Sequence, residues 1–478
     1  MTLRAEAGHT LHVIHCEAAL PSCNFNPTHN LIACATCACR ATTLSDRVAD
    51  GQVVRHYLDK SLFPNNYPQP LPATLAELMA LTYDGVNIGR GAASSAISLL
   101  RDYGLDVHGK HRSVVELALC TALGALLNYQ RILSQVKPDE VIIFNGRHAE
   151  LRPMVELCQQ RKIPFICHER GGNIHLYQTF VNSLPHGIAT RKRMIRQLWD
   201  EAGPEREAKA VAWLKSKRLG TNTDDRSYVG GMELGNLPQG WDGRRHNIVV
   251  FNSSEDEMQS IAEWKTPLFD HQNEVILRLA ERLRDRHDVT LYVRMHPNLA
   301  TIDNQQTKEL RAFQQANFRL IPGADDVDSY ALSEAADAVL SFASTIGIEA
   351  TYWGGNSVLY GPSFYEDEGA VYTPRSFDEL VELLTRPGLP PKPKEATYRY
   401  AYFMAHNGLP YQYATIHAAN DATILGQRVR GFPKRALTKL PGYLAQRLNR
   451  WRESHRIVTG RPLRLTEANK LYSHLKRR

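Results

Sequence analysis

The 478-residue chain has no internal repeat, no low-complexity segment and no uncharged apolar run approaching the roughly 20 residues that a membrane-spanning helix needs. The apolar segment from Val114 to Leu127 is too short and contains Glu116, so we expect a buried helix there. Charged and histidine side chains interrupt the N-terminal residues where a signal peptide would have its apolar core, and we therefore expect a cytosolic protein. The absence of a recognisable DNA- or RNA-binding module argues against nucleic acid as a partner.

The composition permits an ordinary two-domain enzyme. With 43% hydrophobic and 22% charged residues, a chain of this length can bury two cores. Short apolar segments alternate with longer amphipathic ones through most of the chain, which predicts an α/β fold with two β/α domains. In chain order we predict a first domain, an interdomain connection, a second domain, helices that return to the first domain, and a basic tail, at residues 1–218, 219–245, 246–395, 396–427 and 428–478.

Positive charge is concentrated at the C-terminus. From Arg428 to Arg478 there are fifteen Lys or Arg residues against two Glu, a net charge of +13, so the preceding residues carry a net charge of −6. Apolar side chains recur among these arginines at roughly helical spacing, which is typical of a helix on an anionic membrane surface. We predict such contact for the tail; a solvated helix packed on the acidic body is the alternative. The apolar positions are Leu437, Leu440, Tyr443, Leu444, Leu448 and Trp451.

Five of the eight cysteines crowd the N-terminal region. Cys16 and Cys23, together with the CxxC pair Cys34 and Cys37, could form a structural zinc site of four thiolates, although the first spacing is wider than usual. A reducing cytosol disfavours disulfides. We therefore predict structural zinc, with unliganded thiols and an iron–sulfur or redox site as alternatives. Catalysis is not expected to need this metal.

The most informative stretch runs from Val289 to Tyr365. One predicted strand ends in the sequence Arg-Met-His-Pro at 294–297, and another ends at Ser341 and leads through Ser344 and Thr345 into a helix. Loops at the carboxyl ends of neighbouring strands form the ligand crevice of open α/β sheets, and the N-terminus of a helix there favours an anion. Hydroxyl groups and a histidine at such a crevice can hold a phosphoryl group without a metal. The pattern therefore predicts a site for a nucleotide-activated donor.

Several segments together resemble the bacterial capsule polysaccharide biosynthesis proteins, which include the Kdo transferases of capsule assembly. They are residues 251–257, the Arg-Met-His-Pro element, residues 341–350 and residues 361–365. The His-Pro element is also similar to that of bacterial polysialyltransferases and of the glycerophosphotransferases of teichoic acid synthesis. The resemblance covers most of the second domain and is looser in the first. It implies a GT-B fold, in which two Rossmann-like domains face a central cleft, and sugar transfer from a nucleotide sugar without a catalytic metal.

The resemblance also implies that His296 contacts the donor phosphate and stabilises the departing nucleotide; capping of a backbone carbonyl is the structural alternative. Arg294 lies two residues earlier, on the same face if the strand persists. Ser341, Ser344 and Thr345 are expected to donate to the phosphate, although helix capping also needs one of them. Further donor-site predictions are ribose contacts by Glu349, a phosphate- or sugar-binding turn at Ser253, Ser254 and Glu255, and base stacking by Tyr365.

The acceptor is expected mainly on the first domain, where a carboxylate is the natural base for its hydroxyl. Glu169 follows a predicted strand and precedes two glycines, and Asp84 in a Gly-containing loop is its competitor. Asn145, Arg147 and Arg170 are expected to orient acceptor or phosphate; an Asn-Gly turn is the alternative for Asn145.

We therefore expect a cytoplasmic, membrane-peripheral glycosyltransferase acting on a capsule, lipopolysaccharide or other surface glycan, with a glycan or lipid-linked glycan as acceptor and a nucleotide sugar as donor, for which a CMP-sugar is a candidate. Three other classes remain. They are a nucleotide-sugar epimerase on the same scaffold, a CDP-glycerol-type polyol phosphotransferase, which usually needs a second strand-end histidine, and a non-catalytic scaffold that would have lost the His296 cluster.

Overall fold

The computed structural model of the protein describes residues 2–47, 52–221, 229–418 and 421–430, and it has the predicted α/β architecture with two Rossmann-like domains. The first half contains helices α1 to α8, at Thr2–Glu6, Leu31–Ser45, Leu75–Ala80, Gly89–Leu100, Arg112–Val136, Arg152–Arg161, Ile188–Asp200 and Arg206–Leu219. Its strands are β1 to β7, at Leu11–His15, Val53–Tyr57, Thr82–Tyr83, Val86–Asn87, Val141–Phe144, Phe165–Arg170 and Leu176–Val181.

The second half contains strands β8 to β12, at His246–Phe251, Val289–Arg294, Phe318–Ile321, Ala338–Ser341 and Ser357–Leu359. Helices α9 to α13 lie at Gln272–Arg282, Gln305–Ala312, Ser329–Ala335, Thr345–Tyr352 and Phe377–Thr385. The chain ends with helix α14 at Tyr398–His406 and strands β13 to β16 at Leu409–Pro410, Ala414–Ala418, Asp421–Ile424 and Gln427–Arg430.

The second-domain sheet is parallel throughout, in the order β10-β9-β8-β11-β12. Its strands are almost entirely buried, because helices cover both faces of the sheet. Apolar and polar residues therefore do not alternate along these strands. The strand order reverses between β8 and β11. Loops that follow these two neighbouring strands run in opposite directions and open the crevice in which such sheets bind ligands.

The first domain is built around the long helix α5. Its apolar residues pack against α4 and α6, and 67% of its most apolar 18-residue window is buried, so the predicted buried helix is confirmed. The adjoining sheet has the order β13-β7-β6-β5, in which β5 and β6 are parallel and β6 and β7 antiparallel. Strands β1 and β2 form a separate parallel pair.

Six first-half elements were not predicted from the sequence, namely α1, α2, β2, β3, β4 and β7. Helix α2 occupies the Cys-rich segment that was expected to be a loop, and it begins where the Asn30 side chain accepts from the backbone N–H groups of Ile32 and Ala33. Strand β2 pairs with β1 alone, in a two-stranded sheet. Strand β7 follows β6 after a short connection and pairs with it in antiparallel orientation. None of these segments has a strong apolar period of its own.

The C-terminal segment returns to the first domain, but not as helices alone. Helix α14 packs against α7 and α8, and β13 then pairs with β7 at the edge of the first-domain sheet. Strands β14, β15 and β16 form an antiparallel sheet where helix was expected up to residue 427. The predicted tail helix lies outside the described residues, except that Arg428 belongs to β16 and pairs with Asp421.

Candidate active site

A cavity of about 130 Å³ lies at the carboxyl ends of β8, β11 and β12. It therefore occupies the point at which the strand order reverses. The segment between β8 and α9 forms its outer wall, with Trp264, Lys265 and Phe269. The loop residues that line it are Ser253, Ser254, Glu255, Phe342, Ala343 and Gly361.

Hydrogen bonds hold the two loops of the crevice together. The Ser253 hydroxyl donates to the carbonyl of Phe342 at 2.9 Å and accepts from Gln272 Nε2 at 2.6 Å. The Ser253 backbone N–H donates to Gln272 Oε1 at 2.9 Å. The loops after β8 and β11 are thus fixed in position before any ligand is bound.

Glu255 is buried in the wall of this cavity. Its Oε1 accepts from the backbone N–H of Gln272 at 2.8 Å, and among the described residues Oε2 has no hydrogen-bond partner. Burial raises the pKa of Glu255 to about 8, and the nearby Glu309 charge adds to the shift. The carboxyl group is therefore largely protonated at neutral pH, and Oε2–H can donate to a ligand.

His296 follows β9, and its backbone is bonded to Asn252, the residue before Ser253 in the cavity lining. Its backbone N–H donates to Asn252 Oδ1 at 2.8 Å, and its Nδ1 accepts from the backbone N–H of Asn298 at 3.1 Å. Burial lowers its pKa to about 4, with the Arg101 charge as the next cause. The ring is therefore neutral at pH 7 and carries its proton on Nε2, because Nδ1 is an acceptor.

An arginine of the first domain reaches these loops. Arg101, at the end of α4, donates from Nε to Asp256 Oδ2 at 2.7 Å and from Nη2 to Ser254 Oγ at 3.0 Å. The Asn304 side chain donates to its backbone carbonyl. Both the main chain and the side chain of Arg101 are thus bonded to the second domain.

Three predicted donor-site residues serve the domain core instead. Arg294 is buried and donates to the backbone carbonyls of Pro322 and Asp325, so it fixes the loop after β10 rather than sharing the cleft with His296. The Glu349 carboxylate accepts from the Tyr330 hydroxyl between α11 and α12. Tyr365 is fully buried, which excludes stacking on a base in this conformation.

The Tyr365 hydroxyl organises the start of α12. It donates to the Ser344 carbonyl at 2.7 Å and lies 3.3 Å from Ser341 Oγ, which is itself buried. Gly347 permits this approach, because a Cβ there would lie 2.2 Å from Ser341 Oγ. Within the described chain the Ser344 side chain makes no capping hydrogen bond, so Ser344 and Thr345 stay candidates for the donor phosphate.

On the first-domain side, Glu169 is held by its neighbours. Its Oε2 accepts from Asn145 Nδ2 at 2.7 Å, and its Oε1 accepts from the Arg170 backbone N–H at 3.0 Å. Asn145 and Gly146 have φ angles of 56° and 83°, so this Asn-Gly pair does form the tight turn given as its alternative. Arg147 follows in the same turn, and the Arg170 side chain is exposed.

Asp84 is not placed among these groups. It is exposed, has a φ of 53°, and forms with Gly85 the two-residue turn between β3 and β4. Its carboxylate accepts from Gln130 at 3.0 Å. A hairpin turn, rather than a loop between helices, explains the Asp-Gly sequence.

Three buried side chains near Asn145 were missed in the sequence. Glu150, His148 and His186 are predominantly buried, and each has ring or carboxylate atoms without a hydrogen-bond partner in the part of the chain that the structure describes. Burial raises the pKa of Glu150 to about 7 and lowers the pKa of both histidines to about 3, with the Arg147 charge contributing to both. Their position after a strand end was the available signal.

The first-domain loops meet the cavity wall. Trp264 Nε1 donates to the His186 carbonyl at 2.9 Å, and Glu263 Oε2 accepts from the Ile188 backbone N–H at 2.7 Å. The first-domain loop that contains His186 and Ile188 therefore contacts the segment that forms the cavity wall.

The cysteines are not arranged as a zinc site. Within the described residues no three His, Cys, Asp or Glu side chains are grouped so that they could hold a metal ion. Cys34 and Cys37 lie on helix α2, and Cys34 Sγ accepts from Asn26 Nδ2 at 3.1 Å. Burial raises the pKa values of Cys16, Cys23 and Cys37. These residues as placed do not fit the metal, and structural zinc stays a prediction for metal analysis.

No protein-family model and no curated protein sequence matches the chain. Among solved structures, the β-Kdo 2,4-transferase KpsC of Thermosulfurimonas dismutans is 14% identical over 55% of this chain and 87% of its own, with a TM-score of 0.36. The UDP-GlcNAc 2-epimerase of Methanocaldococcus jannaschii is 10% identical over 78% of this chain and 95% of its own, with a TM-score of 0.28. The glycosyltransferase SnogD of Streptomyces nogalater is 14% identical over 75% and 83%, with a TM-score of 0.23.

Identities and TM-scores this low assign neither a family nor a reaction to the chain. Its fold and its candidate site therefore rest on its own topology and contacts.

Proposed function

We propose that this protein is a glycosyltransferase that moves a sugar from a nucleotide-activated donor to a hydroxyl of a surface glycan. The observation that carries the proposal is the cavity at the strand-order reversal, with His296 on the neighbouring strand end and bonded to Asn252, which precedes the cavity-lining Ser253. This is where open α/β sheets bind nucleotides. A capsule or lipopolysaccharide glycan, free or lipid-linked, is the proposed acceptor.

The cavity is suited to one ring of the donor. Its volume of about 130 Å³ is below the roughly 300–1,000 Å³ of pockets that hold whole ligands. An engineered apolar cavity of about 150 Å³ holds benzene. With Phe269 and Phe342 in its wall, the cavity can take a base or a sugar ring, while the phosphate extends toward His296.

In the proposed reaction the acceptor oxygen bonds to the anomeric carbon of the donor. The bond from that carbon to the phosphate oxygen breaks, and its electron pair leaves on the nucleotide. His296 Nε2–H stabilises this developing charge by donating a hydrogen bond, and the serine and threonine hydroxyls after β8 and β11 contribute further donors. Phosphate binding would also raise the pKa of His296, because a nearby anion favours the protonated ring.

The acceptor proton needs a base on the first-domain side of the cleft. Glu169 retains this proposed role, and Asn145 orients its carboxylate. Glu150 is a second candidate, since a carboxyl group with a pKa near 7 can both accept and release a proton at neutral pH. Asp84 lies in an exposed turn and has no comparable setting.

One observation favours a second function, polyol phosphate transfer. That reaction was expected to need a second strand-end histidine, and His148 follows β5 in the first domain. Its neutral ring has an unpartnered Nδ1 among the described atoms and could take a proton from a polyol hydroxyl.

We also propose that the enzyme works in the cytoplasm at an anionic membrane surface. The net charge of +13 from residue 428 onward supports this, since each basic side chain near such a surface contributes about 1 kcal/mol. Most of this segment lies outside the described residues.

The proposed function is tested by incubating the purified protein with a panel of nucleotide sugars and CDP-glycerol, with and without surface-glycan acceptors. Acceptor-dependent release of nucleotide with a glycosylated product is expected. A polyol phosphate product would identify the second function, an epimerised donor would identify an epimerase, and no turnover of any donor would contradict the proposal.

A further inference from the structure

We infer that Arg101, supplied by the first domain, binds the donor phosphate, and that Asp256 holds its guanidinium group until the phosphate arrives. The inference rests on the proposed function, because it assumes a donor that carries phosphate. It adds a binding residue from the opposite domain to a site otherwise built from the loops of the second.

Arg101 is positioned close to His296 and to the cavity lining. The charges of Arg101 and Asp256 both act on the His296 ring, Arg101 lowering its pKa and Asp256 raising it. An anion that accepts a hydrogen bond from His296 therefore lies within the field of the Arg101 guanidinium group. Ser254, the other partner of Arg101, lines the cavity.

The guanidinium group of Arg101 is also able to exchange its present partners for a phosphate. Two guanidinium groups act on His296, and they differ in what they bond. Arg294 is buried and donates to backbone carbonyls that cannot move away without refolding of the loop. The Arg101 side chain is 33% exposed, and apart from a long contact of 3.5 Å to the Asn298 carbonyl it bonds a carboxylate and a hydroxyl, which can be exchanged for phosphate oxygens.

The backbone of Arg101 is fixed by its own conformation and by a bond from the second domain. It has a φ of 55°, a left-handed conformation that costs a non-glycine residue about 1 kcal/mol or more. The bond from Asn304 to its carbonyl anchors this turn to the second domain. The backbone is thus fixed across the cleft while the guanidinium fork, whose geometry matches phosphate, keeps an exchangeable partner.

The test is calorimetric titration of the full-length protein with nucleoside monophosphates, nucleoside diphosphates and nucleotide sugars. Arg101→Ala should weaken binding of the recognised nucleotide roughly 10- to 100-fold, as loss of charged hydrogen bonds predicts. Asp256→Asn, which keeps the shape and one acceptor oxygen, should tighten it, because the competing charge is gone. Arg90→Ala is the matched control, since Arg90 lies on the same helix and pairs with Glu156 within the first domain.

The double variant separates release of Arg101 from simple relief of repulsion. If Asp256 acts through Arg101, adding Asp256→Asn to the Arg101→Ala protein should change affinity less than twofold. An interdomain brace without a ligand role predicts instead that both single variants weaken binding or leave it unchanged, and that result would overturn the inference. If the wild-type protein binds no nucleotide at all, the proposed function fails as well.

Discussion

The two sides of the cleft differ in how their polar groups are satisfied. On the second-domain side, Ser253 is bonded to Gln272 and His296 is bonded to Asn252 and Asn298, and Glu255 keeps one bonded oxygen, Oε1, beside an Oε2 without a partner among the described residues. On the first-domain side, Glu150 and His148 have buried atoms without partners among the described residues. Buried polar groups normally find partners, and native exceptions require an explanation. The contrast favours a proposed donor side whose loops are bonded in advance, with Glu255 Oε2 left for a ligand, and a proposed acceptor side in which both Glu150 oxygens await a ligand or water.

Removing His296 should produce the largest effect, because in the proposed reaction this side chain donates a hydrogen bond to the leaving phosphate. His296→Ala is expected to lower kcat about a hundredfold or more while acceptor binding changes little. Steady-state kinetics with saturating donor measures both. His417→Ala, at an exposed strand position, is the control, and equal turnover of wild type and His296→Ala would return His296 to a capping role.

The pH dependence of stability compares one buried carboxyl group on each side. The pKa values of Glu255 and Glu150 are raised to about 8 and about 7, above their ordinary value, so each contributes stability below pH 4.5 that is lost as pH rises through the raised pKa. Glu255→Gln and Glu150→Gln should each recover on the order of a few kcal/mol at pH 8.5 relative to pH 5.

Denaturant unfolding at pH 5 and pH 8.5 measures this difference, and Glu395→Gln at an exposed position is the control. Variants that lose the same free energy of unfolding at both pH values would show that these groups are ionised in the folded protein.

The two predicted bases sharpen the contrast within the first domain. Glu169→Gln should lower kcat at least tenfold, because removing a general base usually costs a hundredfold or more, whereas Asp84→Asn should change it less than twofold. Asparagine tolerates the left-handed turn, so the fold is preserved in the second variant. A large loss of kcat in Asp84→Asn would contradict the conclusion that Asp84 has only a structural role in its turn.

The prediction for the basic tail concerns membrane binding rather than either side of the cleft. Removal of residues 431–478 should abolish sedimentation with anionic vesicles at low salt and spare activity on a short soluble acceptor. The truncation point follows Arg430, because an earlier cut after Gln427 would remove most of strand β16. Failure of the full-length protein to bind such vesicles would exclude the membrane role.

The same contrast explains what the sequence could and could not predict. In the second domain, the alternation of continuous apolar strands and capped helices predicts Phe318–Ile321, Ser329–Ala335 and Ala338–Ser341 with the bounds that the structure has. In the first domain, the apolar pattern predicts neither Leu31–Ser45 nor Leu176–Val181, because a side-chain cap at Asn30 and antiparallel pairing with β6 decide those elements.

Site prediction failed where a residue type fits two roles. Ser253 lines the cavity after β8, and His296 follows the neighbouring strand β9 with its backbone bonded to Asn252; the donor-site roles of both residues stay predictions. Arg294 lies two residues before His296, which in a continuous strand would put both side chains on one face. In the structure, backbone carbonyls of the loop after β10 bind Arg294 instead. Arg101 could not be found from sequence, because its significance depends on contact across domains, and the position of Glu150 after a strand end was a signal that did not reveal its burial.

Hydrogen–deuterium exchange with and without a nucleotide that the protein binds tests the central claim most directly. Donor binding at a preassembled crevice should protect the backbone amides of residues 253–258, 296–299 and 342–346, and should leave residues 145–150 unchanged until acceptor is added. Protection confined to residues 145–150, or none in the loops after β8, β9 and β11, would contradict the account.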